Sequence, residues 1–202
     1  MSVPQPWLKP AVWVGGLVPL AALALGAVRH TLGADAIALS LNRLGLTTLV
    51  FLVAALACTP VRMALGWTWP LRIRRMLGLF AMFYAALHFL TYIVLDQFFD
   101  WAIIFADLTQ RKFILVGFLG LVLMVPLAVT STNASVRRLG FPRWKRLHRL
   151  AYVVTALGAL HFFLRVKRDH TEPLVYGFVV VVLLAVRFLP PAKKKARTRL
   201  VL

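Results

Sequence analysis

The fold is decided by an uncharged run of twenty residues, MLGLFAMFYAALHFLTYIVL, at positions 76–95. A helix needs about 20 mostly apolar residues to cross roughly 30 Å of hydrocarbon. The rest of the chain has the same character, because 61% of its 202 residues are hydrophobic, 15% are charged and the mean hydropathy is +0.82. Soluble domains carry more charge and fewer apolar residues. We therefore predict an integral membrane protein.

Five further apolar stretches flank this run, and together they predict an all-α bundle of six transmembrane helices. The predicted spans are 10–28, 44–61, 76–95, 113–130, 150–164 and 173–189. The connections are too short for a soluble catalytic domain, so residues 1–202 are predicted to form a single membrane domain. The longest connection outside the basic loops, 96–112, is apolar but broken by Asp100 and Asp107, which is typical of an interfacial segment. No internal repeat is evident.

The charges orient the predicted bundle. The chain has 24 Lys and Arg against 6 Asp and Glu, a net charge of +18. Cytoplasmic loops of membrane proteins collect Lys and Arg. Most of these residues fall in the loops after spans two and four and in the tail, at Lys193, Lys194, Lys195, Arg197 and Arg199, whereas all six acids fall in the other loops. We expect a multi-pass membrane protein with both termini in the cytoplasm, and the positive charge requires no nucleic-acid partner.

Histidine is the residue type that could hold a metal here, because the single cysteine, Cys58, excludes multi-cysteine sites. His88 and His161 lie inside spans three and five, where an ionisable side chain is a functional hypothesis. Both lie roughly 17 to 18 Å along their helices at about 1.5 Å per residue. Two neutral imidazoles at one depth suit the two axial positions of a b-type haem. The alternative is that each is a structural residue hydrogen-bonded to a neighbouring helix.

His148 precedes His161 by 13 residues, or about 20 Å of helix, and would suit a second haem nearer the cytoplasm. On an ideal helix the two side chains differ by about 140° in direction, so either the helix deviates or His148 faces another neighbour. The position at the matching depth on span three is Arg74. Its guanidinium stays charged, so it cannot serve as a neutral nitrogen ligand. Arg74 and Arg75 could pair with haem propionates or serve only as positive-inside residues, and Met76 is an alternative second ligand.

Several other residues bear on this hypothesis. Ala81 and Ala85 lie near His88, and Gly158 lies one turn from His161, so small side chains could let a flat macrocycle approach. His30 and His170 lie in loops and are expected to be solvated side chains without a role.

An ordered set of motifs resembles a known family. It comprises Leu32-Gly33-Ala34-Asp35, Arg74-Arg75-Met76-Leu77-Gly78-Leu79, Leu87-His88, Thr130-Ser131-Thr132, Trp144-Lys145-Arg146-Leu147-His148-Arg149-Leu150-Ala151-Tyr152 and His161. In order and spacing this set is similar to the MsrQ (YedZ) family, the haem-binding membrane subunits of the bacterial protein-methionine-sulfoxide reductase system, which are related to the ferric reductase-like transmembrane domain.

The resemblance implies a multi-pass protein of the bacterial inner membrane that binds b-type haem, one or two per chain, at His88, His148 and His161. It also implies electron transfer from the quinone pool to a periplasmic molybdopterin partner, MsrP, for repair of oxidised periplasmic proteins. Flavin mononucleotide (FMN) as a further cofactor rests on the resemblance alone. The catalytic subunit would be a separate chain, and no catalytic residue is predicted in this one.

Two alternatives belong to other classes of protein. A non-redox transporter or assembly factor could use the histidines to relay protons, but such relays need acids within the spans, and no acid lies in a predicted span interior. A ferric-reductase-like electron carrier would share the haem scaffold and would need a separate flavin donor.

Overall fold

The computed structural model describes residues 5–188, and within this range the chain is helical with no strand. Its helices are α1 (Leu8–Val28), α2 (Ala36–Leu65), α3 (Pro70–Thr91), α4 (Trp101–Gln110), α5 (Lys112–Val129), α6 (Asn133–Leu139), α7 (Phe141–Leu147), α8 (Leu150–Arg165) and α9 (Thr171–Ala185). A π-helical turn, Tyr92–Asp96, continues α3, and a 3-10 turn, Val186–Phe188, follows α9. The predicted all-α membrane fold is confirmed.

Five helical segments are long and apolar enough to cross a membrane: α1, α2, α3 with its π-turn, α5, and the stretch from Phe141 to Arg165. The sixth apolar helix, α9, has 15 residues and is shorter. The count of six spans therefore stays a prediction. The predicted end of the last span at Leu189 and the basic residues of the tail lie outside the described residues.

Two helices are longer than the hydropathy predicts. The second runs from Ala36, where the side chain of Asp35 accepts a hydrogen bond from the Ala38 N–H at 2.9 Å, to Leu65, where Gly66 adopts a φ of 71° that ends it. The third starts at Pro70, six residues before the predicted span, and carries its arginines on helical backbone. Hydropathy marks the part of a helix that lies in hydrocarbon, whereas capping residues mark where the helix itself begins and ends.

The core is formed by four helices, α2, α3, α5 and α8. Its central cluster consists of Leu52, Ala81, Ala85, Met124 and Val154, all buried. In contrast, α1 packs on the outside against α3, and α9 packs against α8 and α2. Apolar side chains of the outer helices remain exposed, as expected where lipid replaces water.

The two ends of the bundle differ in charge. All six acids lie where α2 and α9 begin and where α3 ends and α4 follows, which we call the acidic end: Asp35, Asp96, Asp100, Asp107, Asp169 and Glu172. The opposite, basic end carries the start of α3 and the helices α6 and α7. Both α3 and α8 run from the basic end to the acidic end.

The helix that was predicted to begin at residue 150 is preceded by a break. Helix α7 ends at Leu147, His148 and Arg149 form a turn, and α8 begins at Leu150. The ideal-helix angle between His148 and His161 therefore does not apply, and the local deviation that the His148 hypothesis required is present.

Candidate functional site

The side chains of His88 and His161 face each other in the core. Their ring centroids are 6.1 Å apart, with the ring planes at 83°. Both rings line a cavity of about 360 Å³ between α2, α3, α5 and α8, towards the acidic end. The equal depth that helix rise predicts for these two residues thus corresponds to direct proximity.

Each imidazole is held through Nδ1 by a backbone carbonyl of the neighbouring helix. His88 Nδ1 lies 2.9 Å from the carbonyl oxygen of Leu41 on α2, and His161 Nδ1 lies 2.7 Å from that of Phe113 on α5. A carbonyl oxygen only accepts, so each Nδ1 carries the proton. In the neutral ring Nε2 then keeps its lone pair, which is the tautomer that binds a metal through Nε2.

A glycine makes room for each ring. A Cβ built at Gly117 would lie 2.7 Å from His161 Nδ1 and 2.9 Å from its Cε1. A Cβ at Gly45 would lie 3.2 Å from His88 Cε1 and 3.3 Å from its Nδ1. Each glycine follows the accepting residue by four positions, one helical turn, so the helix offers a bare surface beside the carbonyl.

These contacts form a structural repeat. In α2 and α3 a carbonyl, a glycine and a histidine occur at 41, 45 and 88, and in α5 and α8 they occur at 113, 117 and 161. Carbonyl and histidine are 47 residues apart in the first unit and 48 in the second. The correspondence lies in the contacts and is not evident as a sequence repeat, because the two units share only short motifs such as Ala-Leu-His-Phe at 86–89 and 159–162.

The pair is suited to hold one metal ion through both histidines. Two metal–nitrogen bonds of about 2 Å on opposite sides of one ion, plus the radius of each ring, give centroids about 6 Å apart, close to what is observed. Among residues 5–188 there is no group of three or more His, Cys, Asp or Glu side chains that could form a protein-only metal site. Two imidazoles in a mainly apolar cavity match the donor set of a haem with two axial histidines.

Charged and polar groups also line this cavity. Arg165 is one helical turn beyond His161, and Asn42 follows Leu41 on α2. Asp96 and Arg111 line it as well, and Arg111 is held by Asp107 at 3.0 Å. An anionic group at the acidic end of the cavity would therefore find the guanidinium of Arg165 beside the histidine pair.

A second cavity, of about 450 Å³, lies towards the basic end. Its lining includes His148 and five cationic residues, namely Arg74, Arg75, Lys145, Arg149 and Arg187. No acid lines it, since all six acids of the chain lie at the acidic end. The arrangement suits a ligand with anionic groups, and it brings together the predicted residues His148, Arg74 and Arg75.

His148 is held differently from the other two histidines. Its ring stacks on Trp144 with centroids 4.0 Å apart, and its Nε2 lies 3.1 Å from Thr130 Oγ1. The Thr130 hydroxyl donates to the Pro126 carbonyl at 2.6 Å, so it accepts from His148, and Nε2 carries the proton. The lone pair is then on Nδ1, the opposite tautomer to that of His88 and His161.

The arginines of this basic cavity are partly engaged. Arg75 donates to the Ser131 carbonyl at 3.4 Å and to Asn133 Oδ1 at 2.7 Å, and Arg74 donates to Thr59 Oγ1 at 3.4 Å. Arg187 donates to the Tyr152 hydroxyl and, at 2.8 Å, to the Leu56 carbonyl, while its Nε is buried without a partner. Unlike Met82 and Met124, Met76 is not among the residues that line either cavity, which disfavours it as a ligand.

A thin layer of protein separates the two cavities. Leu52 of α2 and Met124 of α5 line both of them. Both side chains are buried and belong to the central cluster of the core. The two cavities thus follow each other along the bundle axis within one four-helix core.

The remaining sequence-based candidates lie in different places. His30 is exposed in the loop after α1, and His170 is half-buried against Phe163 with centroids 4.9 Å apart; neither lines either of the two cavities described above. Ala85 and Gly158 line the cavity of the histidine pair, whereas Ala81 is fully buried in the core.

Sequence reasoning missed Gly45, Gly117, Thr130 and Arg187. The first two carry a signal in the sequence: Leu41 and Gly45 match Phe113 and Gly117 in spacing, on the helices that precede the two histidines. Thr130 lies in one of the motifs that carry the family resemblance, but that motif did not point to His148. Arg187, near the end of the last predicted span, carried no pattern that set it apart from topology-determining cations.

The fold and this site define a class of protein, the ferric reductase-like membrane domains. The family described as ferric reductase like transmembrane component matches residues 41–159, a stretch that includes His88 and His148 and ends two residues before His161. Within this class, the chain belongs to the MsrQ family. It is 51% identical over 189 residues to the protein-methionine-sulfoxide reductase heme-binding subunit MsrQ of Rhodospirillum rubrum, a match that covers 94% of this chain and 91% of the relative.

Other relatives with the same name are almost as similar. The protein from Deinococcus radiodurans is 47% identical over 94% of each chain, and that from Caulobacter vibrioides is 45% identical over 86% of this chain and 82% of the relative. The resemblance found in the sequence motifs is thereby confirmed.

Proposed function

We propose that this protein is a haem b-binding electron-transfer subunit of the inner membrane, which passes electrons from the quinone pool to a periplasmic molybdopterin-dependent methionine sulfoxide reductase, MsrP. The observation that carries the proposal is the His88–His161 pair, 6.1 Å apart with each Nδ1 bound to a backbone carbonyl. The relatives, named as heme-binding subunits of protein-methionine-sulfoxide reductase, support the cofactor and the existence of a reductase partner.

In this proposal His88 and His161 would hold the haem iron through Nε2. Bound haem supplies an iron that takes up and releases one electron at a time. The carbonyls of Leu41 and Phe113 keep both rings in the ligating tautomer and fix their planes. Arg165, beside the pair, offers a cation to a haem propionate. The apolar side chains of Leu52 and Met124 exclude water from the layer between the two cavities.

The basic cavity is the proposed side of electron uptake. Its cations, Arg74, Arg75 and Arg187 among them, favour an anionic ligand, either the propionates of a second haem or the phosphate of FMN. For His148 to bind iron through Nε2 it would have to give up Thr130 as a hydrogen-bond partner, whereas Nδ1 is already free to accept. The proposal of FMN as a cofactor rests on the family resemblance alone.

The test uses the full chain purified in detergent, with His88→Ala, His161→Ala and His148→Ala. His170→Ala is the matched control, because this half-buried histidine lines neither cavity. We expect bound haem b in the parent protein and loss of most of this haem in His88→Ala and His161→Ala. The control should keep its full haem content. Two redox transitions that become one in His148→Ala would indicate a second haem, and one transition throughout would indicate a single haem.

Electron transfer is tested with the same samples. We expect a quinol to reduce the haem and the purified reductase, given methionine sulfoxide, to reoxidise it. Full haem content and an unchanged reduced spectrum in His88→Ala or His161→Ala would show the ligand assignment to be wrong. A colourless parent protein would instead favour a non-redox transporter or assembly factor.

A further inference from the structure

The two glycines beside the histidine pair point to a role in tuning the site. We propose that Gly45 and Gly117 are positioning residues that lower the reduction potential of the haem, by letting His88 and His161 donate from Nδ1 to the carbonyls of the facing helices. The inference rests on the proposed function, in which these histidines hold the iron.

The backbone does not require glycine at either position. The glycines of the described chain with positive φ are Gly33, Gly66 and Gly140, and both Gly45 and Gly117 lie within helices. Glycine destabilises a helix interior relative to alanine. The contact with the imidazole supplies the missing reason for glycine, since the three atoms nearest to an added Cβ belong to the histidine ring at each position.

An added methyl group would act on the atoms that make the hydrogen bond. At Gly117 the Cβ would lie 2.7 Å from His161 Nδ1, the donor to Phe113, and at Gly45 it would lie 3.3 Å from His88 Nδ1, the donor to Leu41. The imidazole is a rigid ring and cannot bend out of the way as a flexible chain end can. To make room, the ring has to move away from the carbonyl or the helix has to shift.

The hydrogen bond changes the ligand electronically. A donor bond from Nδ1 makes an imidazole a more basic metal ligand. A more basic ligand stabilises the ferric form over the ferrous form and lowers the reduction potential. Weakening the bond should therefore favour the reduced haem, and a tenfold shift in that equilibrium corresponds to about 59 mV for one electron.

The two glycines should not respond equally. The gap is tighter at Gly117 than at Gly45, because the nearest ring atom is 2.7 Å from the added Cβ in the first case and 3.2 Å in the second. We therefore expect a shift of about tenfold towards the reduced form in Gly117→Ala and a smaller shift in the same direction in Gly45→Ala.

The experiment compares Gly117→Ala, Gly45→Ala and the control Gly177→Ala in the full-length haem-loaded protein. Gly177 lies in α9, and a Cβ there meets nothing within 4 Å, so this variant measures the effect of the substitution alone. The measurements are haem content, the midpoint potential by redox titration and the electron paramagnetic resonance of the ferric form, which reports the strength and orientation of the axial imidazoles.

A raised potential with an altered ferric spectrum in both test variants, larger in Gly117→Ala and absent in Gly177→Ala, would support the proposal. Parent-like potentials and spectra in both test variants would overturn it. If Gly117→Ala binds no haem, Gly45→Ala decides, and an unchanged potential there refutes the proposal. A failure of the proposed function is recognised separately, because the parent protein would then lack haem or the histidine variants would keep it.

Discussion

At Tyr84 a side-chain hydroxyl takes part in the hydrogen-bond ladder of a neighbouring helix. The residue is fully buried on α3, and its hydroxyl donates to the Gly16 carbonyl at 2.6 Å and accepts from the Leu20 N–H at 3.2 Å. Gly16 and Leu20 are the partners that an unperturbed helix would join directly. The hydroxyl therefore bridges them and attaches α1 to the four-helix core.

We expect Tyr84→Phe to loosen α1. The substitution keeps the ring, which stacks on Phe51, but leaves the buried Gly16 carbonyl and the partly buried Leu20 N–H of α1 without their bridging partner. A loss of about 1–3 kcal/mol of stability is expected from the unsatisfied groups, measured as a lower midpoint of thermal unfolding in detergent.

Tyr176→Phe serves as the control for this variant, because the Tyr176 ring packs on Phe162 at the outside of α8. Equal destabilisation by both substitutions would argue that the Tyr84 bridge has no special part in docking α1.

At the same scale, the sequence identifies the two central histidines but not the atoms that hold them. His88 and His161 stand out because a titratable residue in a span is costly and because helix rise fixes depth along one helix. Gly45 and Gly117 act across an interface between helices, and the rotation of one helix against another is set by packing that no single stretch of sequence contains. The His148 tautomer likewise depends on Thr130, 18 residues away on another segment.

Among the elements, the segment from Tyr92 to Arg111 forms a strap over the acidic end. It consists of the π-helical turn, two aromatic residues with positive φ, Phe98 at 48° and Phe99 at 62°, and the helix α4. Its apolar side chains are largely exposed, as the interfacial prediction implies, but Asp107 is 6% exposed and lies on the inner side. That acid accepts from the Tyr92 hydroxyl at 2.8 Å and from Arg111 Nε at 3.0 Å.

We expect Asp107→Ala to release this strap from the bundle. The change leaves the Tyr92 hydroxyl and the Arg111 guanidinium without their shared acceptor, at a cost of about 1–3 kcal/mol. Hydrogen–deuterium exchange followed by mass spectrometry should show faster exchange at residues 101–111 than in the parent protein.

The control for the strap is Asp96→Ala, since Asp96 is exposed and bonded to its neighbour Gln97 at 2.6 Å. Unchanged exchange at 101–111 in Asp107→Ala would mean that apolar contacts, such as that of buried Ile104, hold the strap by themselves.

Element boundaries show where sequence reasoning ends. Hydropathy places the middle of every long helix correctly, but α2 and α3 continue through Asn42, Arg43, Arg72, Arg74 and Arg75, which are polar residues on helical backbone. The turn at His148 and Arg149 carries neither Gly nor Pro and has no local sequence marker. It follows from the packing of Trp144 and His148 against Thr130, which involves distant segments.

For the whole molecule, charge is divided between two ends, and this division predicts how the bundle is inserted. We expect the cations of α6 and α7 and of the start of α3 to lie on the cytoplasmic side, and the acids to lie on the periplasmic side. In a Cys58→Ser background, Gln110→Cys at the acidic end should react with a membrane-impermeant maleimide in intact spheroplasts. Ala134→Cys at the basic end should react only after the membrane is permeabilised.

Both positions are exposed, so a difference in labelling reports sidedness and not burial. Labelling of Ala134→Cys without permeabilisation, with Gln110→Cys protected, would invert the predicted topology.

The structural repeat has a consequence for how such a site could arise. Carbonyl, glycine and histidine recur with separations of 47 and 48 residues, so each helix pair carries half of the site complete. A gene that encoded one such pair would already specify a ligand, its hydrogen-bond acceptor and the space for both. Two copies of that ancestral pair, associated face to face, would present two imidazoles to a single iron. A later fusion of the genes would need to add only the connection between α3 and α5, which now contains α4. The single chain can then be viewed as a covalently joined dimer, whose halves have since diverged at the depth of Arg74 and His148.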